Sequence, residues 1–243
     1  MPPIQRSFSP TCHYRITTKE NSRPFQNSLA LHTNENPIDI IANRQNLHLS
    51  PAPLHYIVAH QIHSNRIEII REQNSHGWHE NATMECDGLI TDQKNVVLAI
   101  LTADCVPILL YDTTKEVIGA VHAGWKGTKL EIAKEAVRLM QEHFDTHPKD
   151  IVAYIAPSIG QCCYEVGEDV AKHFSSDFYT TRKDKFMLDL PAINQQQLID
   201  RGVLQESITL SHICTSCKVE RFFSYRKEGG CSGRFMSMVW MEK

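Results

Sequence analysis

The chain has 243 residues, with 25 Lys and Arg against 28 Asp and Glu, a formal net charge of −3. That balance excludes a nucleic-acid binder driven by charge alone. Hydrophobic residues at 42% and charged residues at 22% exclude collagen-like, disordered and coiled-coil chains. The longest unbroken apolar run, residues 96–101, is far too short to span a bilayer, so no membrane partner is expected. The opening segment MPPIQRSFSP lacks the apolar stretch of a secretory signal, which sets a cytoplasmic location as the expectation. No repeat, low-complexity tract or flexible linker divides the chain, so residues 1–243 are expected to form a single domain.

Residues 1–55 are polar and broken by turns. Within them Asn36-Pro37 is a turn signal, and residues 38–47 read as a helix ending near Asn43-Arg44. Residues 56–58 and 67–70 are apolar patches flanking the polar junction His60-Gln61-Ile62-His63, which suggests two strands. Cys86-Asp87-Gly88 is a turn entering a short strand over residues 89–91. The centre carries the strongest pattern. Residues 96–101 form a continuous β-type run, as expected of a strand buried on both faces. After the polar break Thr102-Ala103-Asp104-Cys105, residues 106–111 and 117–122 read as the two strands of a hairpin, with Pro107 at a strand start. A helix should follow Gly127. Thr128 and Glu131 look like its capping box, and Leu130, Ala133, Val137, Met140 and Phe144 would line its apolar face. Further on, residues 151–155 read as a strand, 169–174 as a short helix, 191–201 as a helix starting at Pro191 and stopping at Gly202, and 222–225 and 234–240 as strands. Strands outnumber helices without regular alternation. The expected class is therefore α+β, with mixed sheets covered by helices.

The chemistry concentrates where these elements meet. If residues 106–111 and 117–122 pair, Cys105 at the start of one strand lies beside His122 at the end of the other, and His63 at a third junction can converge on them. Two imidazoles and a thiolate make a three-ligand zinc site with an open fourth position, the arrangement in which a bound water ionises near neutral pH. Inert core side chains are the competing account of all three residues. Asp104 is positioned to orient a histidine ligand or to act as an acid–base group. Gly124-Trp125-Lys126-Gly127 precedes a helix, so its amides and Lys126 suit an anion, although no Walker A loop is present. Arg226 and Arg234 lie in a Gly-rich segment suited to phosphate or carboxylate. Cys214-Thr215-Ser216-Cys217 is a lone C-x-x-C read as structural, and the adjacent Cys162 and Cys163, poorly placed for one metal, are given no chemistry.

The run LAILTADCVPILLYD, followed by VIGAVHAGWKGT, resembles the signature of the bacterial laccase-domain family, catalogued as polyphenol oxidases and described as purine nucleoside phosphorylases. SRPFQNSLAL, Ala42-Asn43-Arg44, Gln61-Ile62-His63, CDGLIT, IAPSIGQCCYEV and FFSYR extend the resemblance over nearly the whole chain. The resemblance implies zinc on His63, Cys105 and His122, with purine nucleoside and phosphate as partners. It implies phosphorolysis of adenosine, inosine and 5′-methylthioadenosine to base and ribose 1-phosphate, together with adenosine deamination, and it puts Arg44 in the active site. Arg44, Lys126 and Arg226 are then the expected phosphate-binding cations and Asp104 the acid–base group. The chain departs from the family at Ala30, where an asparagine is usual, and at Lys126, where arginine is commoner. The second departure exchanges a forked contact for a point charge. Cu2+ is expected to load the same donors in vitro because it binds N/S sites more tightly than zinc. The rival activities are a copper phenol oxidase, for which the sequence lacks H-x-H pairs, and a metal-free hydrolase using Cys105 as nucleophile and His122 as base. A role in interaction alone predicts that loss of Cys105 has no effect.

Overall fold

A computed structural model describes residues 2–49 and 54–243. In chain order the elements are β1 (Ile4–Ser9), β2 (Cys12–Ile16), α1 (Pro37–Gln45), β3 (His55–Val58), β4 (Ile67–Ile69), β5 (Gly88–Thr91), β6 (Val96–Thr102), β7 (Val106–Asp112) and β8 (Val117–Ala123). They continue with α2 (Trp125–Lys129), α3 (Ile132–Phe144), β9 (Ile151–Ile155), β10 (Glu165–Val166), α4 (Glu168–Ala171), β11 (Tyr179–Arg182), β12 (Lys185–Leu188), α5 (Leu190–Asp200), β13 (Ile208–Leu210) and β14 (Phe235–Met241). Two mixed sheets dominate: a five-stranded sheet in the order β1-β2-β14-β6-β3 and a six-stranded sheet in the order β13-β9-β7-β8-β5-β4. A small third sheet has the order β10-β12-β11. The fold is α+β.

The apolar runs are continuous because both faces of each central strand are covered. Along β6, Val96, Leu98 and Ile100 point into a core shared with Leu109, Tyr111, Ile118 and Ala120 of the six-stranded sheet. The alternate residues Val97, Ala99 and Leu101 pack on the opposite face with Leu29, Leu47 and Trp78. On the far side of the six-stranded sheet, Ile108, Leu110 and Val121 meet Ala133, Val137 and Met140 of α3 and Leu198 of α5. The chain passes from one large sheet to the other within Ala103-Asp104-Cys105, between β6 and β7. That crossing sets Cys105 at the mouth of the sandwich.

Several expectations change. Residues 222–225 form no strand: Phe222 and Phe223 are buried in the inter-sheet core from a turn in which the Phe222 amide donates to the Lys218 carbonyl at 2.9 Å. Thr128 caps nothing, because α2 already starts at Trp125 and the Thr128 hydroxyl takes a hydrogen bond from Asn194 Nδ2 at 3.0 Å. Glu131 breaks the helix with a left-handed backbone, φ 60°, which turns Leu130 out to 47% exposure and off the apolar face. The hairpin β1–β2 emerges from a region read as turns, its inward residues Cys12, Tyr14 and Ile16 alternating with half-exposed ones.

Candidate active site

β7 and β8 pair antiparallel, with Val106 opposite Ala123 and Pro107 opposite His122. Cys105, one residue before β7, therefore stands beside the end of β8, as the hairpin expectation required. His63 arrives from a loop clamped to the other sheet. The Gln61 side chain both donates to the Leu101 carbonyl and accepts from the Leu101 amide, each at 2.8 Å, continuing the edge of β6 with a side-chain amide. The backbone then takes a left-handed turn at His63, φ 59°, which aims its ring at Cys105.

Asp87 organises the ensemble. Fully buried, it accepts the His63 amide at 3.0 Å and the His122 Nδ1 proton at 2.8 Å on Oδ1, and the Ser64 amide at 2.6 Å and hydroxyl at 2.8 Å on Oδ2. Burial pushes its carboxyl upward, but the His122 and Ser64 hydrogen bonds outweigh that and hold it below its ordinary value. An ionised carboxylate only accepts, so His122 carries a proton on Nδ1 and keeps Nε2 for the Cys105 side. The expectation that Asp104 orients a histidine is corrected: Asp87 does so.

The ligand atoms of His63, Cys105 and His122 lie within 4.8 Å of one another, with Cys105 Sγ 4.0 Å from His63 Nε2. A tetrahedral ion with ordinary Zn–S and Zn–N bonds needs about 3.6 Å between sulfur and nitrogen, a few tenths of an ångström less than the Cys105–His63 separation. The donor chemistry also fits: a thiolate, two imidazoles and a carboxylate behind one of them. Gly124 lets the ligands crowd together here, since a Cβ would press on them, 3.0 Å from His63 Cδ2 and 3.1 Å from Cys105 Sγ.

Without an ion the pair is polarised. Burial raises the Cys105 thiol, but the His122 charge and hydrogen bonds from both imidazoles win and draw it down to about 6. Burial lowers His122, but the Cys105 charge and the Asp87 bond raise it to about 9. Between those values a thiolate faces an imidazolium. Iodoacetamide should therefore alkylate Cys105 in the metal-stripped protein with an inflection near pH 6. Peptide mapping across the pH range checks this, and an inflection at the free-thiol value of about 8.5 would contradict it.

The three residues open onto a cavity of about 470 Å³, which Tyr164, Tyr225, Arg226 and Arg234 also line. That volume is in the range of small-molecule sites. The Arg226 guanidinium stacks over the Tyr164 ring, 5.4 Å from its centre, and that of Arg234 over Tyr225 at 5.8 Å. His32 borders the cavity too; burial, then the Arg234 charge, push it down to about 4, so it is neutral at pH 7. Asp104 reaches the cavity, but its oxygens are engaged by the Thr215 hydroxyl at 2.6 Å and the Arg226 amide at 2.7 Å. It thereby ties the C-terminal loop to the sheet crossing. Two expected cations are not brought in. Lys126 is exposed on α2, with its ammonium over the Trp125 ring. Arg44 is buried, spends Nε and Nη1 on the carbonyls of Leu29, Gly77 and Trp78, and borders an adjoining cavity of about 430 Å³. Asp87, His32, Tyr164 and Tyr225 were not singled out from sequence.

The model of the family described as multi-copper polyphenol oxidoreductase laccase matches residues 15–242. The chain belongs to this family. It is 34% identical to purine nucleoside phosphorylase YlmD of Bacillus subtilis (strain 168), over 94% of this chain and 88% of that one. It is 34% identical to adenosine deaminase RL5 of an unknown prokaryotic organism, over 76% and 74% of the two chains. The crystal structure of YlmD from Geobacillus stearothermophilus superposes with a TM-score of 0.90, covers 100% of both chains, and is 29% identical. The family's metal-binding character agrees with the His/Cys cluster. Among the described residues no helix is long and apolar enough to cross a membrane.

Proposed function

We propose that this chain is a cytoplasmic, single-domain, zinc-dependent purine nucleoside phosphorylase. It converts adenosine, inosine and 5′-methylthioadenosine with phosphate to free base and ribose 1-phosphate, and it deaminates adenosine in the same cavity. The observation that carries the reading is the convergence of His63, Cys105 and His122 on a cavity that also presents Arg226, Arg234 and two tyrosine rings. Relatives along most of the chain bear both activities in their names, which supports the same pair of reactions here.

In phosphorolysis a phosphate oxygen bonds to C1′ of the ribose as the C1′–N9 bond breaks, and the departing purine takes up a proton. The protein must hold a dianion against the sugar and exclude water. Arg226, whose Nη1 donates to the Glu165 carbonyl, and Arg234, whose Nη1 donates to the Ser232 and Gly233 carbonyls, offer their remaining guanidinium N–H groups to the phosphate. Tyr164 and Tyr225 offer ring faces to the purine. Asp104 acts by fixing the Arg226 backbone, while Arg44 braces three carbonyls behind the adjoining cavity. A divalent ion on His63, Cys105 and His122 supplies Lewis-acid charge. In deamination water adds at C6 of adenine and ammonia leaves, and an ion held by the same three residues would supply the charge that activates the water.

Zinc-loaded protein with inosine and phosphate should release hypoxanthine and ribose 1-phosphate, followed by chromatography; adenosine without phosphate should yield inosine. No phosphate-dependent product from a zinc-loaded sample rejects the phosphorylase. Chelation should stop turnover; activity that survives complete zinc removal assigns the chemistry to the Cys105–His122 pair alone. Copper phenol oxidation is disfavoured because a multicopper centre needs H-x-H pairs and the chain has none.

A further inference from the structure

A second group of thiols lies outside the cavity. β9 and β13 pair in parallel, so the chain leaves both strands in the same direction. Their extensions stay side by side: Ser158 bridges Cys214, and the Thr215 amide donates to the Ser158 carbonyl at 3.0 Å. Each extension then turns sharply. Cys163 and Tyr164 donate their amides to the Gly160 carbonyl at 3.0 Å, and Lys218 donates to the Cys214 carbonyl at 3.0 Å. The first turn presents Cys162 and Cys163, the second Cys214 and Cys217, and all four sulfurs fall within 4.8 Å of one another. The adjacency that made Cys162 and Cys163 look unsuited to one metal is corrected by this fold: the missing partners come from the other turn.

The spacing selects among the things four thiols can do. Cys217 Sγ lies 3.6 Å from Cys162 Sγ and 3.4 Å from Cys163 Sγ. A disulfide needs about 2.05 Å. A tetrahedral ion with Zn–S bonds of about 2.3 Å holds its sulfurs about 3.8 Å apart. A cluster of several irons would spread its thiolates wider than one ion does. The cysteines are also not core side chains, since Cys162 and Cys217 are exposed and Cys163 and Cys214 half-buried. The Gly160 amide donates to Cys214 Sγ at 3.3 Å, the kind of second bond that orients a thiolate ligand. A Cβ at Gly160 would sit close against the cluster, 3.3 Å from Cys214 Cβ and 3.5 Å from Cys162 Sγ.

We infer that Cys162, Cys163, Cys214 and Cys217 bind one zinc ion as a closed tetrathiolate, a structural centre separate from the His63–Cys105–His122 site. Binding expels the protons of the four thiols and stitches the turn after β9 to the turn after β13. Both turns serve the cavity. Tyr164, next to Cys163, forms part of its wall, and Thr215, between Cys214 and Cys217, holds Asp104. The ion thus braces the wall from behind without touching substrate.

Metal counting tests this without reference to turnover. Protein purified under reducing conditions and supplied with Zn2+ should hold two equivalents per chain. The double variant Cys162→Ser with Cys217→Ser should hold one, His122→Ala should hold one, and the three changes together none. A parent chain with a single equivalent that His122→Ala removes would overturn the inference, as would a double variant that keeps two. Should the cysteine variant fail to fold, His122→Ala with all four thiols intact and loaded with Co2+ answers the question. It should show the intense thiolate charge-transfer and tetrahedral ligand-field bands of a tetrathiolate, and their absence rejects the site. A disulfide joining Cys162 or Cys163 to Cys217 in the unreduced, zinc-supplied protein rejects it as well. A failed phosphorylase assay alters none of these counts.

Discussion

Asp87→Asn is expected to weaken zinc binding at the His63–Cys105–His122 site by about 10–100-fold while leaving the chain folded. The carboxylate accepts from four donors on three residues, the His63 amide, the Ser64 amide and hydroxyl, and His122 Nδ1. An amide has one accepting end and one donating end, so it cannot serve both sides. With its oxygen toward Ser64, the new NH2 faces His122 and forces Nδ1 to accept. The imidazole proton then sits on Nε2, the atom needed for the ion. With its oxygen toward His122, the NH2 confronts the Ser64 donors, and the turn that delivers His63 is pushed away. Either outcome damages one ligand without altering a ligand's identity. Competition against a chromophoric chelator measures the affinity, and thermal unfolding checks the fold. In the metal-stripped variant the Cys105 alkylation inflection should also move up from about 6, because His122 loses the acceptor that raises it. Unchanged affinity and an unchanged inflection would show that Asp87 is only a turn residue.

The parts of this site that were legible from sequence were those written in local pattern. β6, β7 and β8 are buried on every residue, so each appears as an unbroken apolar string, and the short connection between the last two leaves little choice but a hairpin. From that geometry the meeting of Cys105 and His122 follows. Asp87 was illegible because an aspartate before glycine is what any turn looks like; its meaning lies in His122, 35 residues away. The four-cysteine cluster was hidden for a related reason. It depends on the parallel pairing of β9 with β13, a three-residue strand too short to leave a pattern. Phe222 and Phe223 misled in the opposite sense, since two adjacent aromatics suggest a strand while their burial is served equally well by a turn. Arg44 and Lys126 show where charge type runs out as evidence: a buried guanidinium satisfied by carbonyls and an exposed ammonium over an indole look alike in a string of letters.

His63→Ala and His122→Ala should each remove one zinc equivalent and lower turnover by at least about 100-fold, yet they should separate in stability. The His63 side chain is exposed, so in metal-stripped protein, where the lost ion does not enter the comparison, its removal should shift stability by no more than about 0.5 kcal/mol. His122 is 3% exposed and donates to a carboxylate that is itself 0% exposed. Its loss leaves a cavity and an acceptor without its buried partner, which costs on the order of 1–3 kcal/mol, short of unfolding a domain of ordinary stability. The two variants therefore distinguish a shared role in holding the ion from a shared sensitivity of the fold. If both lose metal and turnover alike while only His122→Ala melts earlier, ligation is the common cause. If His122→Ala loses turnover with its zinc equivalent still bound, the imidazole moves a proton and the ion is held by other groups. If His63→Ala keeps both metal and activity, the cage is not what this cavity is built around, and the thiolate of Cys105 becomes the group to pursue.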